Sequence, residues 1–343
     1  MGIQHAIRKV SQRQDLTYDE AQAAMEEIMT GNATPAQIGG YLLALRLKGE
    51  TIDEITGSAQ AMRDVANKAP VQASNVIDTC GTGGDATNTF NISTTVAFVA
   101  AGGGVPVAKH GNRAVSSKSG SADVLATLGV NLQLTPEQAA MCVDEVGIGF
   151  LFAPAFHPAM RHAIGPRREL AVRTIFNILG PLTNPAGARR QVMGVFSEDL
   201  TDTLANVLSS LGSERVFVVH GAGGLDEFST LGSNHVSELK DGAVQTYELD
   251  PTKFGLKTAT LDDIRGGDPE ANAQITRDIL AGKGTTAQRE IVMLNSAAAF
   301  VCGGACETLE AGLEKSAQVL DSSAGLHRLD ALIELSTKIA VEN

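Results

Sequence analysis

Over the first 70 residues the apolar positions recur at helical spacing, and the polar positions between them mark three helix starts. Thr17-Tyr-Asp-Glu20, Thr34-Pro-Ala-Gln37 and Thr51-Ile-Asp-Glu54 each set a threonine three residues ahead of Glu or Gln. At that spacing hydroxyl and side chain satisfy each other's free amides at a helix N-terminus. Pro35 falls at the first helical position, where a missing N–H costs nothing, and Gly31 and Gly49 suit helix stops. The second helix is apolar over much of its circumference, with Ile38, Tyr41, Leu42, Leu43, Leu45 and Leu47. So wide a face needs a further surface, either the rest of the chain or a second subunit.

After Pro70 the pattern changes to strand, glycine-rich turn, helix. Residues 75–78 read as a short strand running into Cys80-Gly-Thr-Gly-Gly-Asp85, 93–101 as a buried helix and 105–108 as the next strand. Helices follow over 121–128 and 135–146, the second opened by another box ending at Gln138, and 149–153 reads as a strand. A helical stretch over 173–179 closes at Gly180-Pro181. Residues 199–211 form a crossover helix into 215–220, the clearest buried strand, and 285–339 returns to long amphipathic helices. Alternating strands and helices argue an α/β layer with a largely parallel sheet.

Charge narrows the function. The 343 residues carry 27 basic and 39 acidic side chains, a net −12, which argues against a nucleic-acid or anionic-membrane binder. A basic pocket for one small phosphorylated ligand stays open. Cys80, Cys142, Cys302 and Cys306 form no CxxC pair, so neither a disulfide framework nor a zinc site is expected, and no metal partner comes from them. Residues 1–14 contain Arg8, Lys9 and Arg13 without an apolar run, and no window of about 18 apolar residues exists. The expected location is the cytoplasm.

Four motifs carry chemistry. Gly81-Thr-Gly-Gly-Asp85, followed by Asn91-Ile-Ser-Thr94 and a helix, lets backbone amides point inward as an anion-binding nest, with Ser93 and Thr94 adding hydroxyls. Alone it is equally an ordinary strand-to-helix turn. The run from Lys109 and His110 to Ser116 and Ser117 gathers cations, an amide and hydroxyls at a strand end, where ligands sit in open α/β sheets. Lys109 and Arg113 suit phosphate charge, whereas His110 either touches ligand or orients its neighbours. Asp226-Glu227 lies in a glycine-rich loop after the 215–220 strand and suits Mg²⁺. Adjacent side chains point opposite ways, so two ions, or one direct and one water-mediated contact, fit better than a single shared ion. Arg167 or Arg168 can grip a carboxylate with its two-pronged guanidinium, or simply pair with Glu169.

Six ordered segments strengthen these readings: GTGGD at Gly81, NIST at Asn91, KHGNR at Lys109, HPAM at His157, RTIFN-LGPL-NP from Arg173 to Pro185, and GLDE at Gly224. In this order they resemble the anthranilate phosphoribosyltransferase family, over essentially the whole chain. Ala171 stands where the family pattern leads one to expect glycine, a change expected to touch helix packing more than chemistry. The resemblance implies a small N-terminal all-helical domain plus a larger α/β domain with a mostly parallel central sheet flanked by helices. Here these would be residues 1–71, joined by helices around 165–188, and residues 72–343. The fold implied is similar to that of pyrimidine nucleoside phosphorylases, usually homodimeric through the helical domain.

The resemblance also implies site roles. Gly81, Gly84, Asp85, Thr89, Asn91, Ile92, Ser93 and Thr94 would hold phosphoribosyl pyrophosphate. So would the run Lys109, His110, Gly111, Asn112, Arg113, Ala114, Val115, Ser116 and Ser117, together with Ser121. Gly81, Asn112 and Arg167 would contact anthranilate, and Ser93, Asp226 and Glu227 would hold Mg²⁺, two ions per subunit. Lys109, Asp226 and Glu227 would act electrostatically, with no dedicated acid–base pair. Two rivals share the fold: a nucleoside phosphorylase, which carries a further C-terminal domain, and a nucleic-acid-binding relative, which needs a basic face.

Overall fold

The computed structural model describes residues 2–114 and 118–341. Val115, Ser116 and Ser117, expected among the phosphate donors, lie outside the described residues. The chain opens with four helices, α1 (Ile3–Ser11), α2 (Tyr18–Met29), α3 (Pro35–Lys48) and α4 (Ile52–Val65). The boxes at Thr17, Thr34 and Thr51 all close in both directions, so the capping pattern alone located three helix starts.

The remainder alternates: β1 (Ile77–Gly81), α5 (Ile92–Gly102), β2 (Val107–Gly111), α6 (Ser121–Leu128), α7 (Pro136–Val146) and β3 (Ile148–Phe152). Three helices, α8 (Ala153–Phe156), α9 (Arg161–Leu170) and α10 (Phe176–Leu179), carry the chain across to β4 (Arg190–Gly194). Then come α11 (Leu200–Ser210), β5 (Arg215–His220), β6 (Asn234–Lys240), β7 (Ala243–Leu249), α12 (Pro269–Leu280), α13 (Thr286–Gly303), α14 (Leu309–Asp321) and α15 (Ala324–Val341). One seven-stranded sheet runs in the order β3-β2-β1-β4-β5-β6-β7, parallel from β3 to β5 and antiparallel at β6 and β7.

Three details differ from the sequence pattern. β1 and β2 begin two residues later than expected and end at Gly81 and Gly111, so Lys109 and His110 sit inside a strand. The helix expected from Arg173 starts at Phe176, because Asn177 caps the turn by accepting from Thr174 N at 2.9 Å. And β4, β6 and β7 are strands that the pattern does not announce.

Strand alternation divides the interior in two. Val192, Phe217 and Val219 face α5 and α13, whereas Met193, Val195, Val216 and Val218 face a core shared by α11, α10 and the N-terminal helices. Each fully buried Val or Phe contributes about 1.5–3 kcal/mol by leaving water. Both layers therefore depend on the sheet, whose C-terminal edge they leave open.

Candidate active site

The strand ends at this edge are not evenly paired. β1 and β4 match over five residue pairs, from Ile77↔Arg190 to Gly81↔Gly194, but β1 and β2 match only at Ile77↔Val107. Past that pair the two strands part, and side chains fill the opening. Asp78 accepts from His110 N at 3.2 Å and from Asn184 Nδ2 at 2.7 Å, while Asn184 also donates to Ala108 O at 2.8 Å. Lys109 Nζ donates to Thr79 O and lies 3.3 Å from Ser93 Oγ. Burial raises the Asp78 carboxyl, while Lys109 and Asn184 pull the other way. Lys109 is only 3% exposed, a cation set between strands rather than one reaching into solvent.

The loop after β1 turns through left-handed conformations at Gly83 (φ 65°), Gly84 (78°), Ala86 (59°) and Asn88 (56°). Such alternation turns successive amides inward. For Ala86 it costs about 1–2 kcal/mol, so the loop must be held by its surroundings. Gly83 N donates to Asp226 Oδ2 at 2.8 Å, and a Cβ at Gly81 would fall 2.4 Å from that oxygen. A Cβ at Gly194 would meet the Asp226 backbone at 1.5 Å, so two glycines make room for one aspartate. Arg173 donates to Gly84 O. Asp85 accepts from Thr87 N at 3.3 Å within the loop, and Thr89 pairs with Arg265 as an isolated bridge.

At the start of α5, Ser93 N donates to Glu227 Oε1 at 3.0 Å. Asn91 is held on both sides, donating to Ser119 O at 3.2 Å and accepting from Asn272 Nδ2 at 2.9 Å. Ile92 is buried and its amide is spent on Phe90 O at 2.8 Å, while the Thr94 hydroxyl is buried without a partner among the described residues.

The adjacent acids are thus spread to different segments: Asp226 to the β1 loop and Glu227 to the α5 terminus. Phe228, next in line, is clamped by Asn295 of α13, which accepts from its N–H at 2.9 Å and donates to its carbonyl at 2.7 Å. Burial, then the charges of Asp85 and Glu227, push the Asp226 carboxyl well above its ordinary value. Glu227 is pushed up to about 7 by burial, against the pull of Lys109 and Ser93. These acids fit a hard divalent cation, which would relieve their crowding. Among the described residues no three His, Cys, Asp or Glu side chains are grouped to hold an ion alone.

The loop after β2 closes on α6. Asp123 accepts from Ala114 N at 2.9 Å, Gly120 N at 3.0 Å and Arg113 Nη1 at 2.8 Å. Burial would raise this carboxyl, but the two amides and the guanidinium outweigh it and hold it below the usual range. Gly111 permits the closure, since a Cβ there would lie 2.3 Å from Ser121 Oγ, which itself donates to Asn112 O at 3.3 Å. Asn112 and Arg113 are exposed at the rim.

His110 turns to the other face of the sheet, its ring 5.0 Å from that of His157. Burial lowers both, His110 to about 3 and His157 to about 4, so each is neutral at physiological pH. Arg167 lies in the last turn of α9, stacked 5.0 Å over Phe176 and without a hydrogen-bond partner among the described residues. Arg168 is exposed. Ala171 caps α9 in the left-handed conformation at φ 51°, so the replacement of glycine bears on the backbone rather than on packing.

Residues 4–66 match the profile described as glycosyl transferase family, helical bundle domain, and residues 73–326 match the glycosyl transferase family, a/b domain. The chain is 53% identical to the anthranilate phosphoribosyltransferase of Acetivibrio thermocellus over 342 residues, covering 99% of both chains. It belongs to the anthranilate phosphoribosyltransferase family. The crystal structure of that enzyme from Thermus thermophilus superposes with a TM-score of 0.92 at 43% identity, covering 97% of this chain and 99% of the other. The Saccharomyces cerevisiae enzyme in complex with PRPP and Mg superposes at 0.89 with 26% identity, covering 98% of each.

Sequence reasoning passes over Asp78, Asn184, Gly194, Asn295 and Asp123, all of which hold the site in place. Asp123 leaves a local signal, an acid three residues into a helix, and Asn184 falls within the quoted Arg173–Pro185 segment, though without a role. The other three act across long stretches of chain and leave none.

Proposed function

We propose that the chain transfers the 5-phosphoribosyl group from phosphoribosyl pyrophosphate to the amine of anthranilate, giving N-(5-phosphoribosyl)anthranilate and pyrophosphate, in tryptophan biosynthesis. The observation that carries this reading is the meeting of three distant segments at one edge, with Gly83 bonded to Asp226, Ser93 to Glu227, and Lys109 set beside Ser93. The membership in the family supports it throughout.

Breaking the bond between ribose C1 and pyrophosphate builds positive charge on the sugar and negative charge on the leaving group. Lys109, the hydroxyls of Ser93 and Thr94 and the amides beyond Gly83 in the loop after β1 stabilise that leaving group more as its charge grows, which is differential binding of the transition state. Mg²⁺, held by Asp226, Glu227 and Ser93, supplies further charge neutralisation when bound. We assign two ions per subunit, because the two carboxylates serve different segments. The amine of anthranilate is neutral at pH 7 and needs no strong base. Arg167 on α9, with no hydrogen-bond partner among the described residues, anchors the carboxylate, with Asn112 and Gly81 nearby in the same reading.

The α3 face bearing Ala36, Gly40, Leu43 and Leu47 is exposed, Leu47 at 71%, and no atom lies within 4 Å of a Cβ built on Gly40. It suits a twofold contact with a second copy through the helical domain. Among the described residues no helix is long and apolar enough to cross a membrane, and the reading places the chain in the cytoplasm. The test is loss of anthranilate fluorescence on adding phosphoribosyl pyrophosphate and Mg²⁺, with a chelator arm and a thymidine phosphorolysis arm. Fluorescence that persists with both substrates and Mg²⁺ would sink the proposal.

A further inference from the structure

The loop after β1 is tethered along most of its length by the α/β domain. Thr82 N donates to Gly194 O at 2.9 Å, Gly83 N to Asp226, and Gly266 N to Asn88 O at 2.8 Å. Between Gly84 and Thr87, where Ala86 is strained, one residue outside the loop bonds its backbone among the described residues: Arg173. That arginine comes from the link between α9 and α10, beside the helical bundle. Its guanidinium carbon lies 4.1 Å from the centre of the Phe196 ring, a cation–π contact that helps hold the side chain in place. Its own carbonyl accepts from Arg46 of α3. A line of contacts therefore runs from the helical bundle through Arg46 and Arg173 to Gly84.

The geometry points to Arg173 as a positioning residue that clasps the β1–α5 loop in its anion-binding shape and ties that shape to the seat of the helical bundle. The inference rests on the proposed reading for what the loop binds, but the clasp itself does not. Without Arg173 the middle of the loop loses its external hold, the left-handed turn at Ala86 relaxes, and the amides lose their common direction. The donor must then reorder the loop on binding, so its affinity falls while the anthranilate side is untouched.

Hydrogen–deuterium exchange of the ligand-free full chain reads the clasp without any substrate. Amides 83–88 are expected to exchange about ten-fold faster in Arg173→Ala, the scale of one charge-assisted hydrogen bond. Arg173→Lys, which keeps a donor but not the guanidinium over Phe196, and Arg46→Ala, which never touches the loop, should give intermediate values at an unchanged melting temperature. In steady state Arg173→Ala should raise the KM for phosphoribosyl pyrophosphate about ten-fold and leave the anthranilate KM within about two-fold. Unaltered exchange in Arg173→Ala overturns the clasp, whatever the loop binds. A looser loop with an unmoved donor KM overturns its part in donor binding, and Arg46→Ala behaving as the parent overturns the link to α3. Failure of the transfer assay with the unsubstituted chain would strike the functional reading instead and leave the exchange result standing.

Discussion

The loop after β1 takes its shape from residues far along the chain, whereas the described ends of the loop after β2 lean chiefly on one near neighbour. Gly83 is held by a residue 143 positions away, Ser93 by one 134 away and Gly84 by one 89 away. In the second loop, Arg113, Ala114 and Gly120 all depend on Asp123, ten positions away at most. The first loop can reach its shape only when the whole α/β domain is assembled, and it keeps that shape as long as the domain does. The described ends of the second rest chiefly on one carboxylate, with Ser119 tied in addition to Asn91. One is held from afar; the described ends of the other are held mainly from close by.

The strongest way to break this contrast is to remove the far-reaching acids. Asp226→Ala with Glu227→Ala should cut turnover by about 10²–10³, the loss of roughly 2.7–4 kcal/mol of preorganised electrostatics. Near-normal turnover at saturating Mg²⁺ would remove both the metal assignment and the cradle's dependence on it. Arg167 belongs to neither loop and serves as the control. Arg167→Ala should raise the anthranilate KM about 10–100-fold, as expected for a charged hydrogen-bond partner, and leave the donor KM alone. An unchanged anthranilate KM counts against the anchor.

Smaller effects sharpen the second half of the contrast. Asp123→Ala should cost about 1 kcal/mol of stability, as for a lost helix cap, and speed amide exchange over the described residues of 112–120 but not over 83–88. Because the folded state lowers the Asp123 carboxyl, its contribution is complete above the unfolded value near pH 4 and fades as pH falls through the lower folded value. Asp123→Asn should flatten that part of the acid stability profile; an unchanged profile would show that the carboxylate does not hold the loop. Smallest of all, Ala171→Gly should raise stability by about 0.5–1 kcal/mol by relieving the left-handed cap, read as a higher urea midpoint at constant m. A lower midpoint would mean that the cap carries no strain.

The sequence made legible whatever depends on near neighbours. The boxes at Thr17, Thr34, Thr51 and Thr135 place four helices because cap and partner lie within one turn. The β6–β7 hairpin also has a local signal, Asp241-Gly242, with φ of 51° and 77°, but it is easily passed over because both strands mix exposed and buried positions. β4 leaves little trace: five residues, two of them Arg190 and Gln191, become a central strand only by pairing on both sides. The site divides in the same manner. Glycine runs and the acid pair are visible as motifs, but that Lys109 is buried between strands, and that Arg173 reaches Gly84, follow from the assembled sheet alone.

The parting of β1 from β2 has an evolutionary consequence. Beside Asp78 and Asn184, the Lys109 ammonium helps to span that opening and also lies against Ser93, so on the proposed reading its chemistry and its architecture cannot drift apart. Exchange of Lys109 for a neutral residue would leave Thr79 and Glu227 each without their cation, unseating the middle of the sheet together with the reaction. Position 109 thereby has far less freedom to change than exposed neighbours such as Asn112 and Arg113.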